Sequence, residues 1–309
     1  MPLHPDIGKV ALQEAMLLDE RWIMSYAAGL KDDNKRAYFD TRKENPLGKI
    51  TAHPCQYWAI SWPFVWNRTN ELLKEPMSPS ERGRGVHYTE DVLIHKPLMA
   101  NTNIRVSCMA VDASQRKNGC TLLAKFDMYN DVTDELLMTH WSSYFYRGVK
   151  LNGGNVQSMV TDLPPPIPLD FHNDGVSPLL EIDIPIAFNE AHVYTECSRI
   201  WNPIHTNKRA AAKAGLSDII LHGTATLAKA TTELINAFEP DRNPKNVKRI
   251  RCGSFAASVL MPSTVKLRVF SLKKVNNELV VHWDVLNASH RHAIRNGLIV
   301  FRQVVMGNL

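Results

Sequence analysis

Cysteine is scarce in this chain. Five residues of 309, Cys55, Cys108, Cys120, Cys197 and Cys252, lie scattered, at none of the spacings that hold a metal. An odd count without a framework argues for reduced thiols in a cytosol-like compartment, where the sequon Asn67-Arg68-Thr69 carries no sugar. Between Met1 and Gly29 no apolar run is long enough for a signal peptide or a membrane span, and the terminal Gly-Asn-Leu is not a peroxisomal address. The expected location is therefore cytoplasmic. Charge of one sign is also lacking: a net +5 is mild for this length, and no nucleic-acid-binding motif is present. No residue pattern calls for a metal or any other cofactor.

What is present is a core. With 44% hydrophobic and 22% charged residues, the chain has the composition of a folded globular protein. Residues 151–180 interrupt it with Gly153-Gly154 and the run Pro164-Pro165-Pro166-Ile167-Pro168, an extended connection to be laid along a surface. The domains expected are 1–150 and 181–309.

These halves repeat each other. Tyr26 and Tyr194 open irregular loops 168 positions apart, and His53-Pro54 and His222-Gly223 open the central helices 169 apart. Ile104, Val106, Cys108 and Ala110 alternate in the first half, as do Val265, Leu267 and Val269 in the second, and each half then adds two more strands. The helix from Thr224 to Phe238 carries small Ala225, Ala228 and Ala230 beside Leu227, Leu234 and Ile235, which suits a helix wrapped by a sheet. The class is α+β, a double hotdog: two antiparallel sheets, each around its own helix, joined edge to edge.

The densest signal is Tyr194-Thr-Glu-Cys-Ser-Arg-Ile-Trp-Asn-Pro-Ile-His205, followed by Leu221-His222-Gly223. Asn202-Pro203 fixes a turn just before a histidine, and the Gly223 amide falls at a helix N-terminus, where free N–H groups favour developing negative charge. A histidine plus a preorganised oxyanion donor is the minimum for moving a proton next to a carbonyl.

These residues resemble the signature of MaoC-like (R-specific) enoyl-thioester hydratases and 3-hydroxyacyl dehydratases. Tyr194, Ser198, Asn202, Pro203, His205, Leu221, His222 and Gly223 match it; Arg199 replaces a glycine and Ile200 falls on the family's catalytic aspartate. The resemblance implies His205 and Gly223 as catalytic groups, with Ile200, Trp201, Asn202, His222 and Thr224 at the substrate. Glu196 is the one carboxylate near enough in sequence to replace the aspartate. The repeat maps Ile200 onto Asp32, which reads as a solvated turn belonging to a different site, and His205 onto Ala37.

The implied activity is hydration or dehydration of an α,β-unsaturated or β-hydroxy acyl thioester or related metabolite. The expected partner is a hydrophobic small molecule or acyl thioester, with a homodimer left open. The basic residues Arg242, Lys245, Lys248, Arg249 and Arg251 are either solvated or meet the phosphates of coenzyme A or a carrier. Two other readings stay open. One is a hotdog cyclase that folds a polyene or terpenoid substrate, because a pocket with isoleucine in place of aspartate needs no water-activating dyad. The other is a non-catalytic binding module. Trp58, Trp62, Phe64 and Trp66 either pack the first helix or line an apolar pocket.

Overall fold

The computed structural model describes residues 3–167 and 175–302. Residues 168–174, in the middle of the expected connection, lie outside the described residues.

The strands are β1 (Val10–Leu18), β2 (Gly85–Ile94), β3 (Thr102–Arg116), β4 (Gly119–Asn130), β5 (Leu136–Arg147), β6 (Val156–Gln157), β7 (Leu180–Ile186), β8 (Val247–Cys252), β9 (Ser254–Phe255), β10 (Ser263–Val275), β11 (Glu278–Leu286) and β12 (His292–Phe301). The helices are α1 (Glu20–Leu30), α2 (Lys35–Tyr38), α3 (Tyr57–Arg68), α4 (Pro79–Arg82), α5 (Glu190–Ser198), α6 (Lys208–Lys213) and α7 (Gly223–Phe238). One continuous sheet runs β1-β3-β4-β5-β2-β8-β12-β11-β10-β7, with β6 on β3 and β9 on β12. The paired strands of the sheet are all antiparallel. The halves meet where β2 pairs β8, from Glu90 opposite Cys252 to Leu93 opposite Arg249. That seam leaves neither inner edge open for pairing with a stranger.

Inside the curve of the sheet lie α3 and α7. In α7, Ala225, Ala228 and Ala230 are fully buried, small enough for strands to approach, while Leu227, Leu234 and Ile235 fill the core. The first central helix differs from its expected start. His53 and Pro54 belong to a turn in which the Cys55 amide donates to His53 Nδ1 (3.1 Å), and α3 begins only at Tyr57.

The repeat has a physical axis. The hydroxyls of Tyr26 and Tyr194, 168 residues apart, hydrogen-bond to each other at 3.2 Å in the core. Around them α1 crosses α5, and a Cβ on Gly29 would stand 2.6 Å from Cys197 Cβ, so only glycine fits the crossing. Both helices end alike, in left-handed Lys31 (φ 62) and Arg199 (φ 63). Each is followed by an asparagine that caps the next turn, Asn34 bonding Ala37 N and Asn202 bonding Ile204 N.

The connection crosses the outer face of the sheet. Ser158 N donates to Val111 O on β3, Trp141 Nε1 on β5 donates to Asp162 O, and the Arg249 guanidinium on β8 donates to the Pro165 and Pro166 carbonyls. Among the described residues no helix is long and apolar enough to cross a membrane.

Candidate active site

Three pieces of backbone position the second-half loop. The left-handed turn at Arg199 ends α5, Pro203 fixes a single helical turn Pro203–His205, and α7 opens at Gly223. The imidazole of His205 is held by its Nδ1, which donates to the Ile220 carbonyl at 2.8 Å. That bond sets the tautomer and leaves Nε2 with the lone pair and no partner among the described residues. His205 is 9% exposed. Burial pushes its pKa down to about 4, against the opposing pull of the Ile220 carbonyl. The ring is neutral near pH 7.

His222 stacks on His205 with ring centroids 3.6 Å apart. Its Nε2 lies between Thr195 Oγ1 (3.3 Å) and the Ile200 carbonyl (3.4 Å), and its buried Nδ1 has no partner among the described residues. Burial, then the neighbouring His205, hold its pKa well below the usual range. His222 is thus a packed neighbour of the open imidazole. Next to it Gly223 is the first residue of α7, so its N–H has no acceptor within the helix. A Cβ there would meet the Phe255 ring at 2.9 Å, so glycine is what the packing admits. Thr224 is buried and accepts from the Tyr194 hydroxyl at 3.3 Å, joining the tyrosine pair on the axis.

The remaining loop residues part company. The Ile200 side chain is buried at 2% exposure, whereas Trp201, the next residue, is 56% exposed. Asn202 turns its side chain back onto Ile204 N and braces the turn. Glu196 is exposed on α5, so the nearest carboxylate in sequence does not replace the missing aspartate. Trp201 instead faces an open groove of about 260 Å³, shared with Trp62, Pro63 and Trp66 of α3, Leu17 of β1 and Arg199. The α3 aromatics therefore divide: Trp58 and Phe64 pack the core, Trp66 is 45% exposed in the groove, and Trp62, a core residue at 9% exposure, stacks on Trp66 at 5.2 Å as the groove's floor.

The basic residues are engaged internally. Arg242 pairs with Asp33, Lys248 with Glu278, and Arg249 and Arg251 both with Asp91, while Lys245 donates to the Leu47 and Lys49 carbonyls. This accounts for the cluster without a phosphate. Asp32 likewise departs from a solvated turn. It is 5% exposed and accepts from Thr232 Oγ1 of α7 at 2.9 Å.

A polar cluster in the first half has no sequence signature. The buried Glu90 carboxyl meets His87 Nε2 (2.8 Å), His140 Nδ1 (2.9 Å) and the Ser142 hydroxyl, and His140 Nε2 meets Ser61 Oγ (2.9 Å). Burial raises the pKa of Glu90, against the opposing pull of His140 and Ser142, and lowers that of His87 to about 3. Residues three apart on a strand point to opposite faces; a register shift between His87 and Thr89 turns both side chains inward. Among the described residues no group of three or more His, Cys, Asp or Glu is placed to hold a metal ion.

Residues 172–288 match the family model of the MaoC like domain. Among solved structures, a MaoC-like dehydratase from Phytophthora capsici superposes with a TM-score of 0.77 at 16% identity, over 96% of this chain and 95% of that one. The full-length peroxisomal multifunctional enzyme type 2 of Drosophila melanogaster gives 0.71 at 16% identity, over 95% of this chain but 48% of that one. A conserved hypothetical protein of Mycobacterium tuberculosis with a double hotdog fold gives 0.60 at 13%, over 96% of each. No curated protein matches the sequence. At such identities the shared property is the fold. The chain thus has a double-hotdog fold, and its residues 172–288 are similar to the MaoC like domain.

Proposed function

We propose that this protein is a lyase-type enzyme that hydrates an α,β-unsaturated acyl thioester, or dehydrates the β-hydroxy form, with His205 moving the proton. The observation that carries the reading is the Nδ1 bond of His205 to the Ile220 carbonyl at 2.8 Å. It aims a neutral imidazole's free Nε2 from a ring stacked on His222, one residue before the N-terminus of α7. In the hydration direction Nε2 takes a proton from water as the oxygen bonds Cβ. The π pair moves toward the thioester oxygen, where the Gly223 N–H and the helix dipole meet the charge. The imidazolium, strongly acidic at a pKa of about 4, then returns the proton to Cα. A base this weak, without a carboxylate partner, gives slow turnover. The five unpaired cysteines support placing the enzyme in a reducing cytoplasm.

The test is hydration of crotonyl-CoA, with dehydration of 3-hydroxybutyryl-CoA as the reverse. His205→Ala should lower kcat at least about tenfold, roughly 1.4 kcal/mol of barrier, with little change in KM. A variant as active as the wild type would remove His205 from the chemistry. One observation favours a second reading. With Ile200 buried and Glu196 exposed, the loop offers shape and one donor but no carboxylate, which suits cyclisation of a carbonyl-bearing polyene. That reading predicts wild-type protein inert toward both thioesters.

A further inference from the structure

The groove beside the loop is built from residues that a monomeric surface usually hides. Trp66 is 45% exposed, Leu17 51% and Trp201 56%, and all three line the same space of about 260 Å³. Exposed aromatics gathered in one concavity are characteristic of ligand sites. The walls are flat: Trp62 and Trp66 lie at 27° to each other, and the Arg199 guanidinium covers the Trp22 ring at 4.3 Å. Arg199 makes no ion pair among the described residues. It also occupies a left-handed backbone position at φ 63, where glycine is at ease and a long side chain is uncommon. A cation without an ion pair among the described residues, held beside an aromatic groove, suits a complementary anion.

We propose that this groove binds a flat aromatic or polycyclic ring system bearing an anionic group, with the rings on Trp62, Trp66 and Trp201 and the anion on Arg199. The inference deepens the proposed function, on which it rests for placing the ligand as the acyl part of the substrate. Trp201 follows Ile200 directly, so the groove adjoins the loop in the chain, while His205, His222 and Gly223 are not among its lining residues. Pro63 and Leu17 close the apolar sides, and Asn67 adds one uncharged polar group. A short linear acyl chain would leave the indoles wet.

Isothermal titration calorimetry with 2-naphthoate tests the groove without any turnover. Binding is expected, with Trp66→Ala and Trp201→Ala each weakening it at least about tenfold; both indoles are half-exposed, so neither change threatens the fold. Arg199→Gln should weaken 2-naphthoate about tenfold yet leave neutral 2-acetylnaphthalene within about threefold. No binding, or binding insensitive to both tryptophans, overturns the proposal; an Arg199→Gln variant that treats the two ligands alike overturns its anionic part. Thioester hydration separates this from the reaction. A wild type that hydrates cinnamoyl-CoA at least about tenfold better than crotonyl-CoA supports both. Naphthoate binding with neither thioester hydrated leaves the groove standing and removes the hydratase reading. Crotonyl-CoA hydration without naphthoate binding does the reverse.

Discussion

Replacing Ile200 by aspartate rebuilds the absent carboxylate, and the structure says what that change does. The side chain is 2% exposed. Its backbone is held from both ends: the N–H donates to Ser198 Oγ at 3.3 Å, and the carbonyl accepts from His222 Nε2 at 3.4 Å. The new carboxylate therefore cannot swing into water without breaking the loop. Lost apolar contact and cavity cost about 2–4 kcal/mol, and an unsatisfied polar group adds about 1–3. Ile200→Asn, alike in shape to the aspartate, should show this loss of about 3–7 kcal/mol at every pH.

Ile200→Asp should add a pH-dependent loss. Burial raises the folded pKa of the new carboxyl above its unfolded value of about 3.9, so the unfolded chain sheds its proton first and stability falls as pH rises between the two values. Denaturant unfolding of wild type, Ile200→Asn and Ile200→Asp at pH 5 and 8 measures both effects. Crotonyl-CoA hydration on the same samples should rise at least about tenfold in the aspartate variant alone, about 1.4 kcal/mol of barrier. If the two variants lose equal stability at both pH values, the aspartate reaches water and the burial argument is refuted. If it folds and hydrates no faster, a carboxylate at 200 does not complete this loop.

Because burial holds His205 at about 4, kcat/KM should stay flat from pH 8 to about 5 and fall only below that; an acid limb near 6.5 would contradict the neutral, buried imidazole. Glu90→Gln removes the charge option from a carboxyl serving two histidines and a serine, and should cost about 2–4 kcal/mol in a thermal melt; a loss under about 0.5 would mean the cluster contributes little. Arg249→Met leaves Asp91 without its bidentate partner and the Pro165 and Pro166 carbonyls without a donor. It should destabilise by about 3–5 kcal/mol and speed chymotryptic cleavage of the connection, and unchanged cleavage would refute the pinning role.

Long, periodic elements were legible in the sequence. Alternation marked β3 and β10, small residues marked α7, and the 168-residue offset reappears as a hydrogen bond between Tyr26 and Tyr194. The seam was not legible. In β8 the sequence Val-Lys-Arg-Ile-Arg-Cys reads as a basic cluster because half of its residues are positive and none is negative; the acids that neutralise them come from other strands, Asp91 of β2 and Glu278 of β11. The Glu90 cluster was hidden for another reason, since its geometry depends on a bulge no periodicity announces. Of the site, the His205 turn and the start of α7 could be located by motif, whereas the exposure of Trp201 and the burial of Ile200, adjacent residues with opposite fates, are set by α3 across the axis.

That axis also shows what became of the carboxylate in the other half. Asp32 stands where the second loop has Ile200, yet its proton wiring closes on itself. The Cys55 amide donates to His53 Nδ1 (3.1 Å), His53 Nε2 meets Thr232 Oγ1 (3.1 Å), and that hydroxyl donates to Asp32 Oδ2 (2.9 Å), while Asn34 N occupies Oδ1 (3.0 Å). Each donor points toward the carboxylate, so His53 must keep its proton on Nε2 and the chain ends at Asp32. Thr232 sits on α7; the matching place on α3, by the helix offset, is Pro63, which has no hydroxyl and lines the groove instead. One copy of the loop is thus sealed by a threonine and a carboxylate, and the other opens onto tryptophan. Asp32→Asn should consequently cost stability, about 1–3 kcal/mol for a reversed donor in a buried chain, while thioester hydration and naphthoate binding stay within about twofold of wild type. A tenfold loss of hydration in a folded Asp32→Asn protein would show that the first half does lend its carboxylate to His205.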